Sequence, residues 1–119
     1  MTRVYGLHEI ELNPGVSEED FENFVLTEMA NAPMPPGWSF RLLKGNRGER
    51  NGKYLALIDI ESVEARDRFA PDSGPSEEAK RFDEENKEIG EPMWQKWATF
   101  SPTKFGENSI FTDYLVLEK

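Results

Sequence analysis

The sequence contains one histidine, His8, and it is the residue best suited to acid–base chemistry at neutral pH. An imidazole has an ordinary pKa of about 6.5, so it can accept or release a proton under physiological conditions. His8 lies in a stretch with period-two alternation, which is typical of a strand. A histidine on an apolar strand face can also be a core residue satisfied by one hydrogen bond, and both roles are carried forward.

Two tryptophans and two tyrosines could shape a binding site. Trp94 and Trp97 are three residues apart in a helical pattern, so both can lie on one wall, although a core role is the simpler interpretation. Tyr54 and Tyr114 carry hydroxyl groups inside predicted strands, and the sequence gives no reason to prefer either of them as a cavity residue.

Two aspartates, Asp59 and Asp113, also fall inside predicted strands. A buried carboxylate is unfavourable unless it has a partner. Arg41 on a neighbouring predicted strand is an available cation, so we expect a structural ion pair at a dimer interface.

Charge and composition exclude several classes of function. The chain carries 14 basic against 23 acidic residues, a formal charge of −9, which disfavours binding to nucleic acid or to an anionic membrane surface. It has no cysteine, so disulfides, thiolate catalysis and cysteine-based zinc sites are excluded. We find no glycine-rich phosphate loop, Ser-His-Asp set or metal-ligand spacing, and we expect no cofactor and no metal.

Length and hydropathy indicate a single domain spanning residues 1–119. No charged-then-apolar leader opens the chain, and no apolar run approaches the ~18 residues needed to span a bilayer. We therefore expect a cytoplasmic protein that makes no membrane contact.

Predicted elements follow the order strand, helix, strand, strand, helix, strand. The strands are expected at residues 4–12, 38–44, 53–60 and 109–117. The first helix is expected from an N-cap at Ser17 to about Asn31. A short helix capped by Ser62 and a longer one from Ser76 form the second helical segment, which Gly90 and Pro92 are expected to kink or split. The polar hairpin loop at 45–52 carries the one basic spot on the chain, most simply explained as a solvated tip.

This order predicts an α+β fold of the ferredoxin-like βαββαβ type, an antiparallel sheet with helices on one face. The other face would expose apolar side chains, namely Tyr5, Leu7, Leu55 and Leu57. Apolar surface of that kind is best buried against a second copy, so we expect a homodimer whose two sheets close into a dimeric α+β barrel.

Three segments resemble the stress-responsive dimeric α/β-barrel family: HEIELNPGVSEEDFENFV, YLALIDIESVEARDRF and MWQKW. The resemblance covers most of the chain in order. It implies the dimeric barrel fold, which cofactor-independent monooxygenases and haem-degrading enzymes share. It also implies a pocket between sheet and helices, whose tryptophan matches Trp94 and whose lining matches Phe24, Ala56 and Ile58.

Departures from the family pattern argue against two of its chemistries. The first-strand histidine of the related plant polyketide cyclases falls at Gly6, and their catalytic tyrosine falls at Phe69, which has no hydroxyl. Their catalytic histidine belongs to the loop at 71–75, where this chain has none. Haem degradation needs a histidine ligand on the second long helix, and none is present there.

The sequence therefore predicts a small apolar or aromatic ligand held in a pocket. The residues expected to line it are His8, Phe24, Tyr54, Ala56, Ile58, Trp94 and Trp97, with His8 as the one catalytic candidate. Two alternatives stay open: a cofactor-independent monooxygenase or isomerase using His8, and a non-catalytic stress or accessory protein whose pocket is simply a filled core.

Overall fold

A computed structural model describes residues 2–118 and contains four helices and a four-stranded antiparallel sheet. The elements are, in chain order, β1 (Val4–Ile10), α1 (Glu18–Thr27), β2 (Trp38–Lys44), β3 (Tyr54–Ile60), α2 (Val63–Phe69), α3 (Glu77–Glu85), α4 (Lys87–Phe100) and β4 (Phe111–Leu115). A 3-10 turn at Met29–Asn31 continues α1. The chain is therefore α+β, as predicted, and compatible with a ferredoxin-like arrangement.

The sheet has the order β2-β3-β1-β4, with β1 and β3 at its centre. Because partners across an antiparallel ladder point to the same face, the register fixes both faces. His8 lies opposite Ala56 on β3 and Phe111 on β4. Leu7 lies opposite Leu57 and Thr112 on the other face.

The core forms where α1, α2 and α4 pack on the face that carries His8. Its larger part is a cluster of seven buried residues, Ile10, Phe21, Phe24, Val25, Tyr54, Ala56 and Trp97. A smaller cluster joins Val4 and Ile60 of the sheet to Ala65 of α2. Burial of apolar surface on one face of the sheet thus fixes the helices above it.

Serine N-caps begin three of the helices. Ser17 accepts a hydrogen bond from the Asp20 N–H at 3.2 Å, and Ser62 accepts one from the Ala65 N–H at 3.0 Å. Ser76 accepts from the Ala79 N–H at 3.1 Å. Each hydroxyl satisfies one of the N–H groups that a first helical turn leaves free, which explains why these sequences start helices there.

The long C-terminal helix is split at Asn86 and not at Gly90 or Pro92, so the predicted site of a split is wrong. Asn86 has φ −112° and ψ 14°, and its side-chain amide donates to the Phe82 carbonyl at 2.9 Å. This local bond competes with the helical pattern and ends α3. Pro92 lies inside the continuous helix α4, where it removes only the bond to the Glu88 carbonyl.

Two strands, β1 and β4, are shorter than predicted by two residues or more, and β3 begins one residue later than predicted. The strand β1 ends after Ile10 because side chains that follow α4 bind the backbone of Glu11. The Glu11 N–H donates to Thr103 Oγ1 at 3.0 Å, and the Glu11 carbonyl accepts from the Ser101 hydroxyl. On β4, regular pairing covers Phe111–Leu115, with single backbone bonds continuing to Ile110 and Val116.

Within residues 2–118, no helix covers the opposite face of the sheet. This face carries the predicted apolar residues Tyr5, Leu7, Leu55 and Leu57, which are partly buried by their neighbours in the sheet. The register adds Leu43, 39 % exposed, and Tyr114, 53 % exposed, to the same face. Apolar and aromatic side chains therefore run across all four strands.

Candidate functional site

Four of the predicted pocket residues are packed together in the core. Phe24, Tyr54, Ala56 and Trp97 are each at most 3 % exposed and belong to the larger core cluster, and Ile58 packs against it. The Trp97 indole N–H donates to the Thr103 carbonyl at 2.8 Å, so the polar atom of this ring is satisfied within the fold. For these residues, the apolar sequence pattern reflects a place in the packed core.

The Tyr54 hydroxyl does not point into open space either. It donates to the Glu22 carboxylate on α1. Burial, followed by this bond, raises the pKa of Tyr54 to about 12, and the same bond lowers the pKa of Glu22. Lys44 lies beside both, 3.4 Å from Glu22 Oε2 and 5.4 Å from the centre of the Tyr54 ring.

His8 has a different environment from these residues. It is 9 % exposed and lies on the helix-facing side of β1. Its ring stacks on Phe111 of β4, with the ring centres 4.8 Å apart and the planes 10° from parallel. Phe105, from the segment between α4 and β4, packs edge-on at 5.3 Å. The single polar ring of the site is thus enclosed by aromatic surfaces.

The His8 imidazole has one side-chain partner within the described residues. Nδ1 lies 3.3 Å from the Ser109 hydroxyl, which also accepts the Gly106 N–H at 3.2 Å. Burial lowers the pKa of His8, and the negative charge of Asp113 partly opposes that effect. Burial favours the neutral ring, which can donate or accept a hydrogen bond through Nε2.

Trp94 joins this site through Phe105. The Trp94 and Phe105 rings meet edge-to-face with centres 6.1 Å apart, and Trp94 packs against Trp97 at 5.9 Å. Trp94 is 44 % exposed and Phe111 is 47 % exposed, so the aromatic wall reaches from the buried imidazole to the surface. We call His8, Trp94, Phe105, Phe111 and Ser109 the His8 cleft.

Both strand aspartates are paired, but not with Arg41, and Asp113 lies on the helix-facing side and not on the face expected to form the dimer interface. Asp59 accepts from Arg3 at 2.5 Å, and Asp113 accepts from Arg66 Nη1 at 3.3 Å. The predicted partner is wrong because the register places Arg41 opposite Leu57, while Asp113 faces α2 from the other side of the sheet.

Two of the cations of the predicted basic spot are held by carboxylates. Lys44 contacts Glu18 at 3.2 Å, and Arg50 donates to Glu9 at 2.8 Å and to the Tyr54 carbonyl at 2.8 Å. These pairs fix the base of the hairpin loop to α1 and the sheet, which favours a structural role for them.

Two surface grooves flank α1. One, of about 290 Å³, lies between α1 and the edge strand β2, and its wall includes Leu26 and Leu42. The other, of about 360 Å³, lies between α1 and α4 beside Phe24 and Lys96. Neither groove includes His8, which lies beneath the rings of Phe105 and Phe111.

Residues 2–118 contain no group of three or more His, Asp or Glu side chains placed to hold a metal ion. Across the same residues, no helix is both long and apolar enough to cross a membrane. No family model, curated protein or solved structure matches the chain.

Sequence reasoning found His8 and Trp94 but missed Phe105, Ser109 and Phe111. Phe105 and Ser109 belong to a segment without regular periodicity, and Phe111 depends on the register of β4. The sequence predicts that one face of the last strand carries Phe111, Asp113 and Leu115. It does not show which face of the sheet these residues share.

Proposed function

We propose that this protein binds a small apolar or aromatic molecule at the His8 cleft and works as a homodimeric ferredoxin-like α+β barrel. The observation that carries the proposal is the position of His8. A single neutral imidazole lies at the base of a wall of aromatic rings, two of which are about half exposed. A mostly apolar recess with one well-placed polar group is the usual composition of a small-molecule site.

The exposed rings provide the driving force for binding. Trp94 and Phe111 would lose water-accessible apolar surface when an aromatic ring lies between them, and aromatic pairs add a geometric preference for stacked or edge-on contacts. His8 would then orient the ligand through one hydrogen bond.

An enzymatic version of this proposal uses His8 Nε2 as the reacting atom. In the tautomer that carries its proton on Nδ1, Nε2 can take a proton from a bound substrate, as a cofactor-independent isomerase or a monooxygenase acting on an electron-rich phenol requires. Ser109 would hold the ring through Nδ1 during that transfer.

A second candidate is a non-catalytic stress or accessory protein with a filled core. The observation that favours it is the tight packing of Phe24, Tyr54, Ala56 and Trp97, which leaves these predicted pocket residues as structural members. Under this alternative, no small aromatic molecule perturbs His8.

The homodimer is supported by the uncovered sheet face. Its apolar side chains cross all four strands, and its flanking charges, Arg3 with Asp59 and Arg50 with Glu9, are already paired. A two-fold axis would place this face against an identical one and bury it. This is the arrangement of the stress-responsive dimeric α/β-barrel family that the sequence resembles.

Tryptophan fluorescence tests ligand binding. Trp94 is the one tryptophan that we place in the cleft, so toluene and 4-methylphenol should quench the emission saturably in the wild-type protein. Trp94→Phe should remove most of that signal, whereas Trp38→Phe should retain it, because Trp38 packs against Phe69 away from the cleft. An unsaturable signal in the wild type would contradict the proposal.

A further inference from the structure

Two polar side-chain atoms lie close to the α-carbon of Gly6, next to His8 on the sheet. The backbone of Gly6 has no positive φ, so its conformation does not require glycine. A β-carbon there would lie 2.8 Å from Asp113 Oδ1 and 3.4 Å from His8 Nε2, so a larger residue would displace the carboxylate. One carboxylate oxygen and one imidazole nitrogen, from adjacent strands, therefore border the same point.

The two carboxylate oxygens of Asp113 have different surroundings. Oδ2 accepts from Arg66 Nη1 on α2 at 3.3 Å, which holds the side chain on the helix-facing side of β4. Oδ1 points towards Gly6 and has no hydrogen-bond donor within residues 2–118. The Asp113 side chain is 30 % exposed, so part of this carboxylate is open to solvent.

The surroundings of the neutral His8 ring favour a proton on Nε2, the nitrogen that lies near Gly6. The Ser109 oxygen accepts the Gly106 N–H, so its own proton is free for donation to His8 Nδ1. The negative charge of Asp113 favours the neutral tautomer with its proton on Nε2. A donor, Nε2–H, and an acceptor, Oδ1, then both lie near Gly6.

We propose that Asp113 is a specificity-determining residue of the His8 cleft, which selects neutral ligands bearing a hydroxyl group. A hydroxyl is the group that can accept from Nε2 and donate to Oδ1 at once. A carboxylate would be repelled by Asp113, and an ether or a hydrocarbon would leave Oδ1 without a donor. Arg66 and Gly6 are positioning residues: Arg66 holds the carboxylate, and Gly6 leaves room for it. This inference rests on the proposed function.

Four probes of similar size represent a hydroxyl, an ether, a hydrocarbon and a carboxylate ligand. They are 4-methylphenol, 4-methylanisole, toluene and 4-methylbenzoate. Dissociation constants are measured from the NMR shifts of the His8 ring in the wild-type chain. We expect 4-methylphenol to bind about tenfold tighter than 4-methylanisole, because the methyl ether cannot donate to the charged oxygen. Toluene should resemble the ether, and 4-methylbenzoate should bind weakest.

Asp113→Ala should abolish the preference for the phenol, leave toluene binding within about twofold, and improve the binding of 4-methylbenzoate. Asp59→Ala is the matched control, because Asp59 is also a strand aspartate paired with an arginine but faces the other side of the sheet. Gly6→Ala is a second variant, which should displace the carboxylate and reduce the preference without removing any charge.

Equal affinities of the phenol and the ether at His8 would overturn the role of Asp113 while leaving the ligand site intact. Loss of the preference in Asp59→Ala as well as in Asp113→Ala would also overturn it. If none of the four probes shifts the His8 signals, the proposed function itself fails. If Asp113→Ala does not fold, the role of Asp113 is tested by two other measurements. These are the affinities of the wild-type protein for the phenol and the ether, and the preference for the phenol in Gly6→Ala.

Discussion

At His8, burial and a nearby carboxylate act on the imidazole in opposite directions. Burial is the larger influence and lowers the pKa, while the charge of Asp113 raises it. The folded protein therefore favours the neutral ring. Protonation would place a positive charge between Phe105 and Phe111, where little water can solvate it.

This pKa shift predicts how stability changes with pH. In the unfolded chain His8 titrates near its ordinary pKa of about 6.5, so below that pH the unfolded state binds more protons than the folded state. The contribution of His8 is fully present above about pH 6.5 and is lost as the pH falls below it.

Urea denaturation of the wild type and His8→Asn at pH 7.5 and 5.5 measures that contribution. We expect the wild type to lose more unfolding free energy over this interval than the variant, because the many carboxylates are common to both chains. An equal loss in the two proteins would contradict the lowered pKa.

Only part of the cleft could be predicted at the scale of single residues. His8 is the one histidine, and its place in an alternating strand was readable from the sequence. Trp94 and Trp97 have the same residue type and neighbouring positions, yet one is 44 % and the other 2 % exposed. That difference depends on how α4 is rotated against Phe105 and the sheet, which no local pattern specifies.

At the scale of elements, hydroxyl caps and breaks fix where helices begin and end. Ser17 and Ser62 were predicted as caps from their own sequence neighbourhoods, because a short side chain before an apolar helical stripe can satisfy the first turn. The break at Asn86 was missed in favour of Pro92. An asparagine can end a helix or continue it, and here packing of Phe82 against Phe69 places α3 on a separate path.

Of the two caps, Ser62 is expected to contribute more to stability, because it is 3 % exposed and links β3 to α2. Ser62→Ala leaves the Ala65 N–H without its partner in a buried position and should cost about 1–2 kcal/mol of unfolding free energy. Ser17→Ala, at an exposed cap, should cost about 0.5–1 kcal/mol. Chemical denaturation measures both, and a larger loss in Ser17→Ala would contradict this ranking.

At the scale of the whole molecule, the two faces of the sheet have different roles. One face holds the core and the His8 cleft, and the other carries apolar side chains with no helix above them. The α+β class and the identity of Tyr5, Leu7, Leu55 and Leu57 as a shared face were predictable, because strand alternation fixes which residues point together. The addition of Tyr114 and Leu43 required the register of the edge strands.

The proposed dimer predicts a mass of twice the 13.7 kDa chain in sedimentation at micromolar concentration. Leu7→Asp, opposite Leu57 and Thr112, places two carboxylates on the facing sheets of a two-fold dimer and should give a monomer with unchanged secondary structure. Ile89→Asp is the matched control, since Ile89 is 53 % exposed on α4, away from this face. A wild-type chain that sediments as a monomer would contradict the dimer.

The most direct test of the His8 cleft is an NMR titration of the wild-type protein with 4-methylphenol, observing the two carbon-bound ring protons of its single histidine. The account predicts saturable shifts of both signals, accompanied by shifts of the Phe105, Phe111 and Trp94 rings. Unchanged His8 signals at millimolar 4-methylphenol, in a protein whose spectrum shows an intact fold, would contradict a ligand site at His8.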